Sequence, residues 1–248
     1  MYVRTGTPAF DELIPRISRF LEQDLLELNI DGEKIRGYRS PDARSVWIRN
    51  YSDMMRALRY TEADLISVVK HFADNQARNG RIFDYFTTFP EKQPCERENW
   101  TKYVRTPVEA DTEFRFIKAA WLAWQATGDD TFIRNLLPSF ERALAFVMEG
   151  RYFDREKYLF RRPYTIDTWD FAYTAGRHDW LQFQIDENTF WGYFHGDNSG
   201  YYEAFHYMSH WYSMFGDKVR SALWRDRALR LRKSLNTHCF NGSFYTHF

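Results

Sequence analysis

Trp124-Gln125-Ala126-Thr127-Gly128-Asp129-Asp130 and Trp211-Tyr212-Ser213-Met214-Phe215-Gly216-Asp217 decide how this chain is built. In each, an aromatic-rich segment runs into a glycine and then an aspartate. Glycine takes the left-handed conformation that closes a helix, and the aspartate carboxylate accepts the free amides that open the next one. Both stretches therefore read as tight turns between antiparallel helices. Outward from them, apolar residues recur at spacings of three, four and seven, as one helix face requires. Phe114, Ile117, Trp121 and Trp124 precede the first turn; Ile133, Leu136, Leu137, Phe140, Leu144 and Val147 follow it. Phe205, Met208 and Tyr212 lead into the second, and Leu223, Ala228, Leu231 and Leu235 come after. An earlier pair turns near Tyr60-Thr61-Glu62, where Thr61 is expected to cap in place of a glycine, and continues with Leu65, Val68, Val69 and Phe72. Ile14, Ile17, Leu21 and Leu25 predict a further helix ahead of it. No two segments read as an alternating β-hairpin, so the expected class is all-α.

Three helical hairpins in series, joined by long polar-aromatic connections over residues 78–108 and 150–199, are a repeat architecture. Their spacing is longer and less regular than the roughly 33–47 residues of common solenoids. A toroid of helical hairpins fits better, with the long connections gathered at one end. One domain over residues 1–248 is expected.

Composition removes several function classes. Lysine plus arginine number 34 and aspartate plus glutamate 34, so there is no basic excess to hold nucleic acid or an anionic membrane. No apolar run approaches the roughly 20 residues that span a bilayer. The first residues carry no signal-like apolar stretch, which points to the cytoplasm. Cys95 and Cys239 have neither disulfide nor zinc spacing. Aromatic residues make up 19% of the chain, many of them tyrosine and tryptophan with a polar handle. Such side chains suit a wet pocket for sugars, whose C–H faces stack on rings while their hydroxyls take polar partners; an aromatic-rich core is the alternative.

A polar-aromatic cluster precedes each hairpin. The first runs Val46-Trp47-Ile48-Arg49-Asn50-Tyr51-Ser52-Asp53, the second Pro107-Val108-Glu109-Ala110-Asp111-Thr112-Glu113. The third is His195-Gly196-Asp197-Asn198-Ser199-Gly200-Tyr201-Tyr202-Glu203. Acids at helix starts also serve as caps, stabilised by the helix dipole. Three clusters in equivalent places instead predict one mouth where Arg49, Glu109, Asp111, Asp197, Asn198 and Glu203 face a ligand. A fourth candidate lies in the long connection, Tyr164-Thr165-Ile166-Asp167-Thr168-Trp169-Asp170-Phe171. A carboxyl pressed against tryptophan and phenylalanine would resist ionisation and could hold a proton near neutrality, as a glycosidase general acid needs. The alternative is an aspartate that starts a helix beside a packed tryptophan.

Trp47-Ile48-Arg49-Asn50 resembles the Trp-x-Arg-Asp signature of six-hairpin glycosidases such as glucoamylases and some exo-mannosidases. Trp169-Asp170-Phe171 resembles the Trp-Asp-Phe segment of trehalases, and Ala120 to Asp130 is similar to hairpins of the same clan. The resemblance runs from about residue 45 to the end of the chain. It implies an exo-acting, inverting glycoside hydrolase with no cofactor, in which Asp170, with Asp167 as fallback, is the general acid. Arg49 would bind the hydroxyls of a terminal sugar. The aspartate that follows this arginine in the family is Asn50 here, which hydrogen-bonds without charge, and Asp53 one turn on can take over its role. Trp47, Trp169 and Tyr201 are the candidate stacking platforms.

The resemblance implies about twelve helices, of which periodicity supplies about seven, so an incomplete toroid is expected. Self-association or a further C-terminal half would cover its exposed flanks, and the catalytic base would come from later hairpins. Two other functions stay open. One is a non-catalytic sugar-binding or assembly module. The other is a sugar 2-epimerase, for which His206 and His210 share one helix face a turn beyond Glu203. No metal is expected, because that trio lacks further ligands.

Overall fold

A computed structural model describes residues 4–30, 32–39, 45–87, 103–105, 109–163, 185, 187 and 189–247. Asp167, Trp169 and Asp170 lie outside the described residues. Three hairpins form the body: α3 (Ile48–Leu58) with α4 (Ser67–Asp74), α5 (Thr112–Thr127) with α6 (Asp130–Glu149), and α7 (His195–Met214) with α8 (Lys218–His238). Helix α5 packs between α3 and α7, giving one row of three; α4, α6 and α8 lie behind it. Ahead of them come α1 (Pro8–Asp11) and α2 (Leu13–Asp24).

The two deciding turns form as read. Gly128 and Gly216 have φ of 68° and 83°, and the Gly128 amide donates to the Trp124 carbonyl at 2.8 Å. Asp129 accepts from the Phe132 amide and Asp217 from the Arg220 amide, both at 2.9 Å. The earlier turn is built differently. The Thr61 hydroxyl reaches back to the Leu58 carbonyl at 3.5 Å, while Asp64 accepts from the Ile66 and Ser67 amides at 3.2 and 2.9 Å. Asp64, not Thr61, opens α4.

The apolar stripes of α4, α5, α6 and α7 meet in one core. Trp211, fully buried, stacks on Phe140 with centroids 5.2 Å apart. Each such large side chain taken from water contributes about 1.5–3 kcal/mol. Two stripes depart from expectation. Leu223 is 46% exposed on the outer side of α8. Helix α2 buries no residue, and Phe10, Leu13 and Phe20 stand in solvent at 64%, 48% and 63%.

Strands correct the all-α expectation, although helix dominates. β1 (Leu25–Ile30) and β2 (Glu33–Tyr38) form an antiparallel hairpin, Leu25 opposite Tyr38 and Ile30 opposite Glu33. Leu25 continues the helical stripe of α2 in sequence but begins a strand paired with Tyr38, and the hairpin's turn includes Gly32 at φ 88°. Arg36 and Tyr38 then bind Glu62 at 3.2 and 2.6 Å, tying the hairpin to the α3–α4 turn. β3 (Ser45–Trp47), β4 (Tyr85–Thr87) and β5 (Tyr103–Val104) make a small antiparallel sheet in that order. Two further two-stranded pairs are β6 (Phe153–Asp154) with β7 (Leu159–Phe160) and β8 (Arg162–Pro163) with β9 (Trp191–Gly192). All of the short strands β3–β9 lie in the connections, at or near the end of the row where the helices start. No helix among the described residues is long and apolar enough to cross a membrane.

Candidate functional site

Because every hairpin turns tightly at its far end, α3, α5 and α7 begin at the same end of the row, and their first turns meet. Arg49, in the first turn of α3, grips Asp111 at the start of α5 through Nε (2.9 Å) and Nη2 (2.7 Å). The same Nη2 lies 3.0 Å from Glu109. A planar guanidinium matches two carboxylate oxygens at once, which fixes orientation as well as charge. Thr112 donates its hydroxyl proton to Asp84 at 2.8 Å and lies 3.2 Å from Glu109.

Arg105 occupies the far side of this cluster. It reaches Glu113 at 3.2 Å, Asp84 at 3.4 Å and the carbonyls of Ile82 and Glu109 at 3.1 and 2.9 Å. At the start of α7, Asp197 pairs with Arg162 at 3.0 Å. Toward solvent, Arg115 joins Asp53 (2.6 Å) and Asp111 (3.5 Å), and Lys118 lies 3.7 Å from Glu203.

Five enclosed carboxyls, Asp84, Glu109, Asp111, Glu113 and Asp197, thus face four guanidiniums, Arg49, Arg105, Arg115 and Arg162. The surroundings shift these carboxyls unequally. Burial pushes Glu109 well above the usual carboxylate range; neighbouring Asp84 adds to that, and Arg49 opposes it without reversing it. Burial would also raise Asp111, but the Arg49 guanidinium overrides it and holds this carboxyl well below its ordinary value. Burial raises Asp197 and Glu113 too, against the pull of Arg162 and Arg105. Neighbouring carboxyls with opposed shifts are the pattern of a site that manages protons, although buried ion-pair networks share it.

Beside the cluster a hollow of about 480 Å³ opens between α5 and α7, walled by Phe114, Arg115, Lys118, Gly196, Glu203 and His206 among others. Gly196 and Gly200 on α7 keep this wall low. Its lining combines the aromatic side chains of Phe114 and Tyr202 with the polar ones of Arg115, Lys118, Ser199, Glu203 and His206, a mixture that can take a polyhydroxylated ligand.

Of the residues singled out from sequence, Arg49, Glu109, Asp111 and Asp197 come together, with Asp53 and Glu203 at the rim. Asn50 sits half-buried in the first turn of α3. Trp47, half-buried, caps α3 and packs on Tyr85 at 4.1 Å. Asn198 and Tyr201 are structural. Asn198 accepts from the Phe160 amide at 2.8 Å and donates to the Phe160 and Phe194 carbonyls, both at 2.9 Å. Tyr201 is fully buried, stacked on Phe160 at 3.7 Å, and its hydroxyl donates to the Ala110 carbonyl, so no ring face is left for a sugar. His210 turns away from the hollow, edge-on to Trp121 at 5.3 Å. Among the described residues no three His, Cys, Asp or Glu side chains gather to hold a metal ion.

Sequence reasoning missed Asp84, Arg105, Arg115, Lys118 and Arg162. Arg115 and Lys118 follow Asp111 at four and seven residues, so helical spacing alone could have found them. Asp84, Arg105 and Arg162 sit in short strands or beside them, where no periodicity points at a partner.

No protein-family model matches the chain, and no curated protein matches it significantly. Solved structures do. An α-L-rhamnosidase from Dictyoglumus thermophilum aligns with TM-score 0.50 and 14% identity over 83% of this chain and 20% of its own. A rhamnosidase from Klebsiella oxytoca with rhamnose bound gives 0.56 and 12% over 83% of this chain and 35% of its own. An uncharacterized conserved protein from Thermus thermophilus gives 0.55 and 10% over 94% of this chain and 65% of its own. The chain therefore spans about a fifth and a third of the two rhamnosidases. At such identities the likeness is one of fold: this chain carries a glycosidase-like array of helical hairpins.

Proposed function

We propose that this chain forms the sugar-gripping part of a glycoside hydrolase that removes terminal residues with inversion at the anomeric carbon. One observation carries the reading: α5 and α7 bring Arg115, Lys118 and Glu203 to one hollow, Asp53 of α3 pairs with Arg115 beside it, and behind them lies a buried charge cluster in which neighbouring carboxyls are shifted in opposite directions. The exposed acids Asp53 and Glu203 can exchange their contacts with Arg115 and Lys118 for contacts with sugar hydroxyls, while the Arg49–Asp111 pair behind them holds Arg115 in place. The glycosidase-like fold supports the class. The resemblance of Trp169-Asp170-Phe171 supports Asp170 as the proton donor, with Asp167 as fallback; the base would stand across the sugar, roughly 6.5–9.5 Å from the acid with a water between.

Asn50 favours a second reading, sugar binding without hydrolysis, since an amide stands where the resembling enzymes have a carboxylate. An epimerase is less well supported, because His206 faces the hollow and His210 does not.

The test uses the intact protein on a panel of aryl glycosides that includes an α-L-rhamnoside, with the anomer of the first product followed by proton NMR. Turnover with an inverted product, lost in Asp170→Asn while calorimetric sugar binding persists, is the expected result. A retained configuration, or normal turnover in Asp170→Asn, overturns the mechanism. Sugar binding with no turnover on any glycoside assigns the binding-module reading instead.

A further inference from the structure

A second hollow, of about 620 Å³, lies against the outer side of the charge cluster, where α6 returns to the end at which α5 begins. Its walls carry Asn79, Arg81, Arg105, Arg151, Phe146 and Tyr152, three guanidiniums with no carboxylate among them. Arg105 is its floor, almost wholly buried, with its other nitrogens held by the cluster and an Nε that has no hydrogen-bond acceptor. The buried Nε of Arg81 also lacks one. Among the described residues neither Arg81 nor Arg151 has a carboxylate partner; the Arg81 guanidinium rests on the Phe83 ring at 5.5 Å.

The wall is fastened before any ligand arrives. The Gln76 side-chain amide donates to the carbonyls of Gly80 (2.8 Å) and Ser139 (3.0 Å), and Arg142 on α6 donates back to Gln76 at 2.8 Å. Gly80 lies at φ 95°, so close to α6 that a Cβ would stand 2.1 Å from the Arg142 carbonyl oxygen. The Asn79–Arg81 turn is thus pinned to α6 by its backbone, and Arg81 is held where its charge points into the hollow. Arg105 already has Glu113 and Asp84 as counter-ions, but Arg81 and Arg151 beside it have none among the described residues. Such guanidiniums on a fastened wall are a receptor for an oxyanion, because planar N–H pairs match its oxygens and part of the ordering cost is already met.

We propose that this hollow binds an oxyanion, either the carboxylate of an acidic sugar residue or a free inorganic anion such as sulfate. The assignment is independent of hydrolysis at the other hollow, and its test reads binding alone. Intact protein is titrated calorimetrically with glucuronate, with inorganic sulfate and with glucose at low ionic strength, then again at higher salt. Saturable binding of an oxyanion is expected, weakened by salt and at least tenfold weaker in Arg81→Ala and in Arg151→Ala, with glucose binding unaltered by either change. Tighter binding of glucuronate than of sulfate names the sugar-borne carboxylate; the reverse names the free ion. No saturable binding of either anion, or affinity unchanged in both variants, overturns the proposal. Arg151 is exposed, so its variant is expected to fold and remains readable should Arg81→Ala prove unstable.

Discussion

Replacing Arg49 with methionine removes the charge that holds the mouth together while keeping the reach of the side chain. Arg49 is only 14% exposed, and its loss strands Asp111, 4% exposed, with no bidentate partner. Breaking an enclosed ion pair on one side costs about 3–5 kcal/mol. Two features place this case near the lower end. Arg115 Nε stays 3.5 Å from Asp111, and burial disfavours the charged form of Glu109, the other carboxyl that Arg49 holds. A loss of about 3 kcal/mol follows, a fall of roughly 1–1.5 M in urea midpoint for a slope near 2–3 kcal/mol/M.

The loss depends on pH. Asp111 has a depressed value in the folded protein, so its contribution is present above the unfolded carboxylate value of about 3.9 and is lost as pH falls through the folded one. Without Arg49, burial would raise Asp111 instead, and the variant would take up a proton and recover stability as pH falls from 7 to 4. The gap between wild type and variant should therefore be widest at pH 7 and shrink toward pH 4. Urea unfolding followed by tryptophan fluorescence at both pH values measures it. The companion Arg49→Met/Asp111→Leu, which removes the stranded carboxylate and leaves Arg115 paired with Asp53, should recover most of the loss. A cost below about 1 kcal/mol at pH 7, or an equal cost at both pH values, would refute the picture of a buried pair held by one guanidinium.

Two further outcomes probe the packing that positions the site. Gly200→Ala puts a Cβ 2.4 Å from the Phe114 ring where α7 crosses α5; overpacking of about 1–3 kcal/mol should lower Tm by several degrees in calorimetry, and Phe114→Leu should restore part of it. An unchanged Tm would mean that the two helices do not approach so closely. Asn198→Ala leaves the buried Phe160 amide and carbonyl without a side-chain partner and should cost about 2–4 kcal/mol in urea unfolding. Asn198→Asp should be worse still, because a carboxylate oxygen would then face the two carbonyls that the amide now serves; tolerance of aspartate would mean that Asn198 does not tie α7 to the Phe160 strand.

The hairpin body was legible because helix periodicity and glycine-aspartate turns are local signals, fixed by residues within one or two turns of each other. Asp129 and Asp217 cap as read, and the α6 stripe from Ile133 to Val147 is buried as read. The β1–β2 hairpin was also local, since Asp31-Gly32 announces it, but Leu25 prolonged the α2 periodicity and hid the change. That stripe illustrates the limit of pattern alone: α2 has the spacing of a core helix yet only Leu21 of it packs, partly buried, against the core, because amphipathicity says that a face wants a partner and not that one is there.

Sequence alone determined which residues form helices, where the hairpins turn and that acids and arginines gather near three helix starts. Only the tertiary structure decided which of those groups meet. Arg49 and Asp111 are 62 residues apart, and their pairing depends on α3 and α5 lying side by side with the same polarity. Whether a carboxyl is pushed toward its protonated form, as Glu109 is, or held ionised beside Arg49, as Asp111 is, depends on burial and on charges that other parts of the chain deliver. Charge state at a buried site belongs to the assembled cluster, so no window of sequence contains it.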